Sequence, residues 1–380
     1  MSQLLVRMAK LSSSSSSQRL CSRELRRFST TATTTPYLLF KQNNYRRVGS
    51  ETVVDLNLYD PSKDERVKIH DLTFLEELTA SSMRIGSSRG WVCVKNSDDS
   101  TVRITNIFNP CAPFSSHNVI SLPPLDDTRV RVVSSMALSA SPEQQDCVVA
   151  FKSRKLVSLC RPGDSVWTHI EVPFVASSEI MYSTKDCKFY LNRRESDEEG
   201  PIDLINNSSS SLDKFPQVSL YQRFPNSDIP KSIKDQVTST IMSQYVVESP
   251  SCDSSFIVYW CNEYLNQKEK WESTRQKGPP YKPSHFRTNP KGFVVFRQDA
   301  EQRMGSYTED IGDLCIFLSR GVAFCVSATQ YPGLKPNSIY YASFQTGFGF
   351  YDLSSNTLHE VIDEDPLSSF YQWLAPLSNE

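Results

Sequence analysis

Several features that define common protein classes are missing from this sequence of 380 residues. No apolar run approaches the roughly 18 to 20 residues that a membrane-spanning helix needs. Lysine and arginine number 41 against 43 aspartates and glutamates, so the chain lacks the bulk positive charge typical of nucleic-acid-binding proteins. It has 20 Phe, 16 Tyr and 5 Trp, which is enough for a core and excludes a highly charged disordered chain.

Motifs for metal and covalent chemistry are also missing. The ten cysteines form no C-x-x-C pair, and the five histidines form no H-E-x-x-H motif. Cysteines inside apolar runs, such as Val92-Cys93-Val94, are typical of small buried hydrophobes. G-x-S-x-G, P-loop and G-x-G-x-x-G motifs are absent too. We therefore predict no catalytic residue, no metal and no cofactor, with a metal site assembled only by folding as the alternative.

The N-terminus differs in composition from the rest of the chain. Residues 1–35 contain six basic residues, one acid and an uninterrupted serine run from Ser12 to Ser17. Such a basic, serine-rich and acid-poor composition is typical of an organelle transit peptide. Residues Arg26, Arg27, Phe28 and Ser29 resemble a mitochondrial processing site cleaved after Phe28. We predict a disordered transit peptide and a mitochondrial location. A chloroplast or dual location and a plain basic tail are the alternatives.

The remaining chain, residues 36–380, is a succession of short strand-like segments. Runs rich in Val, Ile, Phe and Tyr alternate with polar turns, as in residues 53–60, 91–96 and 338–343. Nearly twenty such runs fit a β-propeller better than one sandwich. At about 40 to 50 residues per blade, the chain allows six to seven four-stranded blades. Helical periodicity is limited to residues 73–80 and 230–244.

Two segments read as exposed loops of this single domain. Residues 194–214 are acidic and then serine-rich, while residues 262–291 mix basic residues with aromatics. We interpret the second segment as a solvent-exposed loop between blades. The alternative is a loop that contacts RNA. We also expect residues 53–60 to close the propeller by joining the last strands, near 347–362.

One family resemblance rests mainly on the C-terminal third of the sequence. The stretch from Gly312 to Leu318, the run Tyr331-Pro-Gly-Leu-Lys-Pro-Asn-Ser-Ile-Tyr340, and Gly90-Trp91 carry it. They resemble the plant family called domain of unknown function two-ninety-five, a kelch-like β-propeller family many of whose members have an F-box. This chain resembles its crucifer organellar branch, which lacks the F-box. The resemblance covers residues 45–378 and implies kelch-like blades.

The fingerprint residues themselves suit a structural role. Pro332-Gly333 is typical of a type II turn, and Pro336-Asn337 of a second bend. The complete fingerprint is Gly312, Asp313, Phe317, Pro332, Gly333, Leu334, Lys335, Pro336, Asn337, Ile339 and Tyr340.

These observations favour a non-enzymatic protein-interaction module inside an organelle, with an unknown organellar protein as partner. Neither a membrane span, nor nucleic acid, nor an F-box scaffold is expected. Three alternatives stay open: a small-ligand-binding or enzymatic propeller with its site at the channel mouth, an organellar RNA-associated factor, and an F-box-less relative of ubiquitin-ligase substrate adaptors.

Overall fold

A computed structural model describes most of the chain from Thr35 onward. The described residues are 35–48, 51–75, 78, 82–112, 117–126, 130, 133–153, 155–172, 176–193, 215–221, 227–238, 241–250, 254–264, 288–299, 304–319, 321–343, 346–361 and 371–377. The predicted transit peptide, with Arg26, Arg27, Phe28 and Ser29, lies outside them. So does the predicted loop 194–214.

The described residues form twenty-four strands and one helix. The first half contains β1 (Tyr37–Val48), β2 (Glu51–Asp60), β3 (Glu65–Leu75), β4 (Ser82–Ser88), β5 (Trp91–Asn96), β6 (Val102–Thr105), β7 (Val119–Leu122), β8 (Val133–Leu138), β9 (Val149–Ser153), β10 (Leu156–Cys160), β11 (Thr168–Glu171), β12 (Ala176–Ser183) and β13 (Lys188–Arg193). The second half contains β14 (Val218–Leu220), α1 (Lys231–Thr238), β15 (Ile241–Glu248), β16 (Ser255–Tyr264), β17 (Thr288–Asp299), β18 (Met304–Thr308), β19 (Leu314–Leu318), β20 (Phe324–Ser327), β21 (Ser338–Ser343), β22 (Gly347–Asp352), β23 (Thr357–Val361) and β24 (Gln372–Leu374).

These strands form six sheets, most of them antiparallel meanders. Sheet 1 has the order β24-β1-β2-β3, sheet 2 contains β4 to β7, sheet 3 β8 to β11, and sheet 5 β15 to β18. Sheet 4 has three described strands, β12-β13-β14, with β13 and β14 parallel. Sheet 6 has the order β20-β19-β21-β22-β23, with β19 and β21 parallel.

Tight turns explain why neighbouring strands pair so directly. Between β4 and β5, Arg89 and Gly90 both have positive φ, 49° and 80°. Two consecutive residues with positive φ are the signature of a two-residue hairpin turn whose twist matches the flanking strands. Glycine adopts this conformation without strain. Gly90 is therefore the second turn residue of this hairpin, and Trp91 is the first residue of β5.

The six sheets are the blades of one β-propeller. Their inner strands β4, β8, β12, β15, β20 and β24 all line a common central cavity. The predicted all-β single propeller is confirmed, with six blades in the described chain rather than seven. Four of these blades have four strands. No helix in this part of the chain is long and apolar enough to cross a membrane.

The core is divided among the six junctions between neighbouring blades. Alternating strand residues point into these junctions, and each junction has its own apolar cluster. Five clusters contain fully buried side chains from both blades. At the junction of sheets 4 and 5 the buried members come from sheet 5, and sheet 4 contributes the half-buried Met181 and Tyr221.

The propeller closes by pairing the two ends of the described chain. Strand β24 is antiparallel to β1, with Tyr37 opposite Leu374 and Leu39 opposite Gln372. Trp373 is 2% exposed, and its ring lies 5.0 Å from that of Phe317 on sheet 6. Closure by both termini is as expected, but the partner strand is not. Strands β22 and β23, which cover the expected region 347–362, belong to sheet 6 instead. The closing strand β24 is not predictable from the sequence, because three residues are too few to give a periodic signal.

Three other local predictions need correction. Residues 73–75 end strand β3, because Thr73 is exposed between buried Leu72 and Phe74, a period of two. The helix expected over 230–244 stops at Thr238, and β15 begins at Ile241. Strands β16 and β17 extend into the predicted loop 262–291, of which residues 265–287 lie outside the described chain.

Truncation at the C-terminus tests the closure. We expect a chain ending at Phe370, which lacks β24, to lose at least about 3 kcal/mol of unfolding free energy, because burial of Trp373 and the pairing with β1 are both lost. Urea denaturation measures this loss. A chain ending at Leu377 is the control and should match the full chain. Equal stability of the two truncated chains would contradict closure through β24.

Candidate functional site

The central cavity opens widely on the face where most of the inner strands end. It has a volume of about 1270 Å³. Each blade contributes to its wall, with Ser88, Leu138, Tyr182, Glu248, Phe324 and Trp373 from sheets 2, 3, 4, 5, 6 and 1 respectively. We call this opening the channel mouth. An opening of this size has room for several side chains of a partner or for a small ligand.

One arc of the channel mouth is apolar and aromatic. Val322, Phe324, Tyr331 and Leu377 line it, and all four side chains are half-buried. Elsewhere, the described surface exposes large hydrophobic side chains only singly, at Met83, Val166 and Met304. The channel mouth thus carries a group of half-buried apolar side chains, and apolar patches on a surface can mark interaction sites.

Another part of the wall, at the junction of sheets 4 and 5, carries polar side chains. We call its four residues Asp186, Tyr190, Tyr221 and Glu248 the acid–tyrosine corner. Tyr190 Oη donates a hydrogen bond of 2.7 Å to Asp186 Oδ2. The rings of Tyr190 and Tyr221 meet edge to face, with centroids 5.5 Å apart. Tyr221 Oη lies 2.8 Å from Ser255 Oγ.

Local turns hold these four side chains together. In the β12–β13 turn, the amide of Asp186 donates to Ser183 Oγ over 3.1 Å, and Cys187 has a φ of 54°. This tight turn sets Asp186 beside Tyr190, four residues later. The amide of Tyr221 donates to the Leu191 carbonyl over 2.8 Å, which fixes it beside β13. Glu248 is the last residue of inner strand β15.

Burial raises the pKa of three groups in the corner, Glu248, Tyr190 and Tyr221. It raises the pKa of the Glu248 carboxyl; a hydrogen bond from Ser183 opposes this, the Asp186 carboxylate adds to it, and Lys185 opposes it. Burial and the hydrogen bond to Asp186 raise the pKa of Tyr190, and burial raises that of Tyr221. Both phenols are therefore neutral near pH 7 and act as donors rather than bases. The corner offers carboxylate acceptors beside two aromatic rings.

A second, narrow cavity lies beside this corner. It has a volume of about 20 Å³, and its lining includes Glu179, Asn192 and Tyr245. Asn192 Nδ2 donates to the Gln244 carbonyl over 3.1 Å, which ties blade 4 to blade 5. Burial and the nearby Glu179 raise the pKa of Tyr245. The narrow cavity has room for about one water molecule, so of these two cavities in the described chain the channel mouth is the one large enough for a ligand or partner.

The fingerprint residues lie on sheet 6 and at its contact with sheet 1. Gly333 has a φ of 99°, and a Cβ atom there would lie 2.3 Å from the Ser62 carbonyl oxygen in the β2–β3 turn. Asn337 also has positive φ, and its side chain accepts from the Ile311 amide at 2.8 Å and donates to the Glu309 carbonyl at 3.0 Å. Gly333 therefore packs sheet 6 against sheet 1, and Asn337 links the loop before β21 to the loop before β19.

The other fingerprint positions pack or brace the same region. Phe317 stacks on Tyr340 with ring centroids 4.8 Å apart, and Tyr340 Oη accepts from the Lys335 amide at 2.9 Å. Asp313 accepts hydrogen bonds from Ser327 Oγ and the Thr329 amide. Gly312 has a φ of 69°, Leu334 and Ile339 are buried, and Pro332 and Pro336 flank the bends. Their structural role stays a prediction that these contacts support.

Sequence reasoning did not single out the acid–tyrosine corner. Alternation of buried Phe189 and Leu191 with half-buried Tyr190 was the one available signal. Nothing local marks Glu248, because its role depends on which strand is innermost. Among the described residues, no group of three or more His, Cys, Asp and Glu side chains is placed to hold a metal ion.

Comparison with known proteins identifies the family. The family model described as KIB1-4 beta-propeller matches residues 58–358. The chain belongs to the KIB1-4 β-propeller family. Its resemblance to the domain of unknown function two-ninety-five and its kelch-like character stay predictions within that family. The search of curated proteins gives no match.

Solved structures also match this KIB1-4 propeller chain. Kluyveromyces lactis Hsv2 is 9% identical, with 60% of this chain and 82% of that chain covered and a TM-score of 0.23.

Substitution of Gly333 tests the blade contact in the fingerprint. We expect Gly333→Ala to lower the free energy of unfolding by about 3 kcal/mol or more, because a Cβ atom would collide with Ser62. Gly163→Ala is the matched control. Gly163 has a similar φ of 94° with nothing within 4 Å of a Cβ atom, so it should lose only the roughly 1 to 2 kcal/mol of a left-handed residue. Equal losses in urea denaturation would contradict a tight contact.

Proposed function

We propose that this protein is a non-enzymatic β-propeller that binds a protein partner at its channel mouth. The observation that supports this proposal is the group of half-buried apolar and aromatic side chains that lines the large cavity there, beside a polar corner. Mixed surfaces of this kind are typical of protein interfaces, where aromatic residues supply contact area and polar groups supply specificity. A propeller supports many functions, so the proposal depends on the channel mouth and not on the fold.

We further propose that the protein works inside an organelle, the mitochondrion in the first place and the chloroplast as the alternative. The composition of residues 1–35 and the run Arg26-Arg27-Phe28-Ser29 support this. The finer family assignment belongs to the same proposal, namely an organellar, F-box-less branch of the kelch-like family of domain of unknown function two-ninety-five. A ubiquitin-ligase substrate adaptor must bind a ligase scaffold protein, and we expect no such scaffold inside an organelle.

The acid–tyrosine corner favours a second candidate function. Carboxylates that converge at the mouth of a propeller channel suit a small polar ligand, so a small-ligand-binding or enzymatic propeller is the alternative. The RNA-associated alternative depends on residues 262–291, of which 265–287 lie outside the described chain. We therefore rank it below the other two.

Import tests the proposed location. We expect the radiolabelled chain to enter isolated mitochondria and to yield a protease-protected product that begins near Ser29. The variant with Arg26→Ala and Arg27→Ala should be imported but not cut at that site, because the processing signal is removed. Parallel uptake by isolated chloroplasts is the comparison. Uptake by neither organelle would contradict the organellar part of the proposal.

Photocrosslinking tests the proposed interaction face. A photoreactive p-benzoylphenylalanine at Gln330, an exposed position at the channel mouth, should give one dominant protein adduct in organelle extract. The same probe at Glu360, exposed on the outer strand β23, is the control and should not give that adduct. Tyr331→Ser should reduce the Gln330 adduct, because it removes an aromatic contact. An adduct that forms equally from both positions would contradict binding at the channel mouth.

A further inference from the structure

We propose that the loop between β19 and β20 is a latch that holds the closing strand β24 in the ring and couples closure of the ring to the shape of the channel mouth. We call five residues the central latch: Ser87, Ser319, Gly321, Val322 and Trp373. They come from β4, from the β19–β20 loop and from β24, and so from sheets 2, 6 and 1. The inference concerns the protein alone and goes beyond the proposed function.

The inner edge of β24 is the reason that a latch is needed. Strand β24 is the inner end of sheet 1, so β1 pairs with one of its two edges. The other edge faces the channel, and buried backbone groups on such an edge need hydrogen-bond partners. With three residues, Gln372–Leu374, β24 forms few backbone bonds with β1. Contacts at the inner edge therefore make a large contribution to keeping it in place.

Two serines bind this inner edge. The Trp373 amide donates to Ser319 Oγ over 2.9 Å, and Ser87 Oγ donates to the Trp373 carbonyl over 3.0 Å. Ser87 is 4% exposed and Ser319 8%, and loss of one partner of a buried hydrogen bond leaves the other unsatisfied. One serine belongs to sheet 2 and the other to sheet 6. The closing strand is thus held by the blades on both sides of it.

The loop is itself fastened to β4. The Val322 amide donates to the Ser87 carbonyl over 3.2 Å. A Cβ atom at Gly321 would lie 2.9 Å from Ser87 Oγ and 3.0 Å from the Ser87 carbonyl oxygen, so glycine permits this close approach. Ser87 therefore binds β24 through its hydroxyl and the loop through its carbonyl. The loop, β4 and β24 form one closed set of hydrogen bonds.

The same loop crosses the channel and carries part of the channel mouth. The Val322 side chain packs against the apolar cluster between sheets 3 and 4. At the start of β20, Cys325 Sγ donates to the Glu248 carbonyl of sheet 5 over 3.1 Å. Val322 and Phe324 also line the channel mouth as members of its apolar arc. A displacement of the loop would therefore change this arc and release Trp373 together.

Hydrogen exchange measured by mass spectrometry on the full chain tests the latch. The variants Ser319→Ala and Ser87→Ala should each raise amide exchange at Tyr37 and Leu39 by about fivefold or more, because one buried hydrogen bond of β24 is lost. Tyr37 and Leu39 pair with β24, so they report its release and not a local change at the serines. Unchanged exchange there in both variants would overturn the proposal.

A serine link elsewhere in the ring provides the matched control. The Ile180 amide donates to Ser135 Oγ over 2.8 Å, which joins inner strands β8 and β12. These strands have six and eight residues, and they follow each other in the chain, so they do not close the ring. Ser135→Ala should raise exchange at Ile180 and leave the start of β1 unchanged. An equal rise at the start of β1 in all three variants would overturn the proposal.

The unaltered chain gives a second test, which decides if the serine variants do not fold. At low urea, exchange should show the start of β1, residues 321–325 and residues 371–374 opening as one unit, because the latch joins them. Strands β9 and β10, which are buried throughout, should open only at higher urea. Separate opening of residues 321–325 and the start of β1 would overturn the proposal.

The consequence for binding rests on the proposed function. A partner seated on Val322 and Phe324 would hold the loop and thereby stabilise the closed ring, because coupling between two places is reciprocal. Exchange at Tyr37 and Leu39 should therefore be slower in the purified Gln330 photoadduct than in the free chain, and equal exchange would overturn the coupling to the channel mouth. Exchange in the free chain needs no partner. Failure to form the adduct would therefore contradict the proposed function and not the latch.

Discussion

The antiparallel pairing of β24 with β1 is the constraint on which the rest of the molecule depends. A ring of six blades has six junctions, and each junction buries its own apolar cluster. If the ring is open, the blades at the two ends lose a neighbour and expose apolar surface. Strand β24 prevents this with three residues, because Trp373 also packs on Phe317 and Tyr340 of sheet 6. One short strand thus belongs to sheet 1 by hydrogen bonding and to sheet 6 by packing.

Much of this fold is predictable from the sequence, because strands with alternating burial leave a local signal. The runs around residues 91–96 and 338–343 are strands as predicted, and the number of runs leads to a propeller. Closure leaves almost no such signal, since β24 has only three residues. Its partner β1 begins at Tyr37, before the run at 53–60 from which closure is predicted.

The channel mouth is harder to predict, for a physical reason. A residue joins it only if its strand is innermost and if it lies near the end of that strand, and both conditions depend on the assembled ring. Glu248 and Asp186 resemble any other acid beside a turn when they are considered in the sequence alone. The fingerprint around Pro332-Gly333 is conspicuous because it packs tightly against another blade. The most visible motif and the most open surface of the molecule are therefore different regions.

The closing strand also determines when the propeller can become complete. The ribosome makes β1 among the first strands and β24 last, so almost the whole domain must be synthesised before the two can pair. Until then, the β1 edge presents unpaired backbone groups, which favour association with other chains. Contacts between such distant parts of a sequence also form slowly. In this architecture the β1 edge therefore stays without its β24 partner until synthesis has almost reached the end of the propeller.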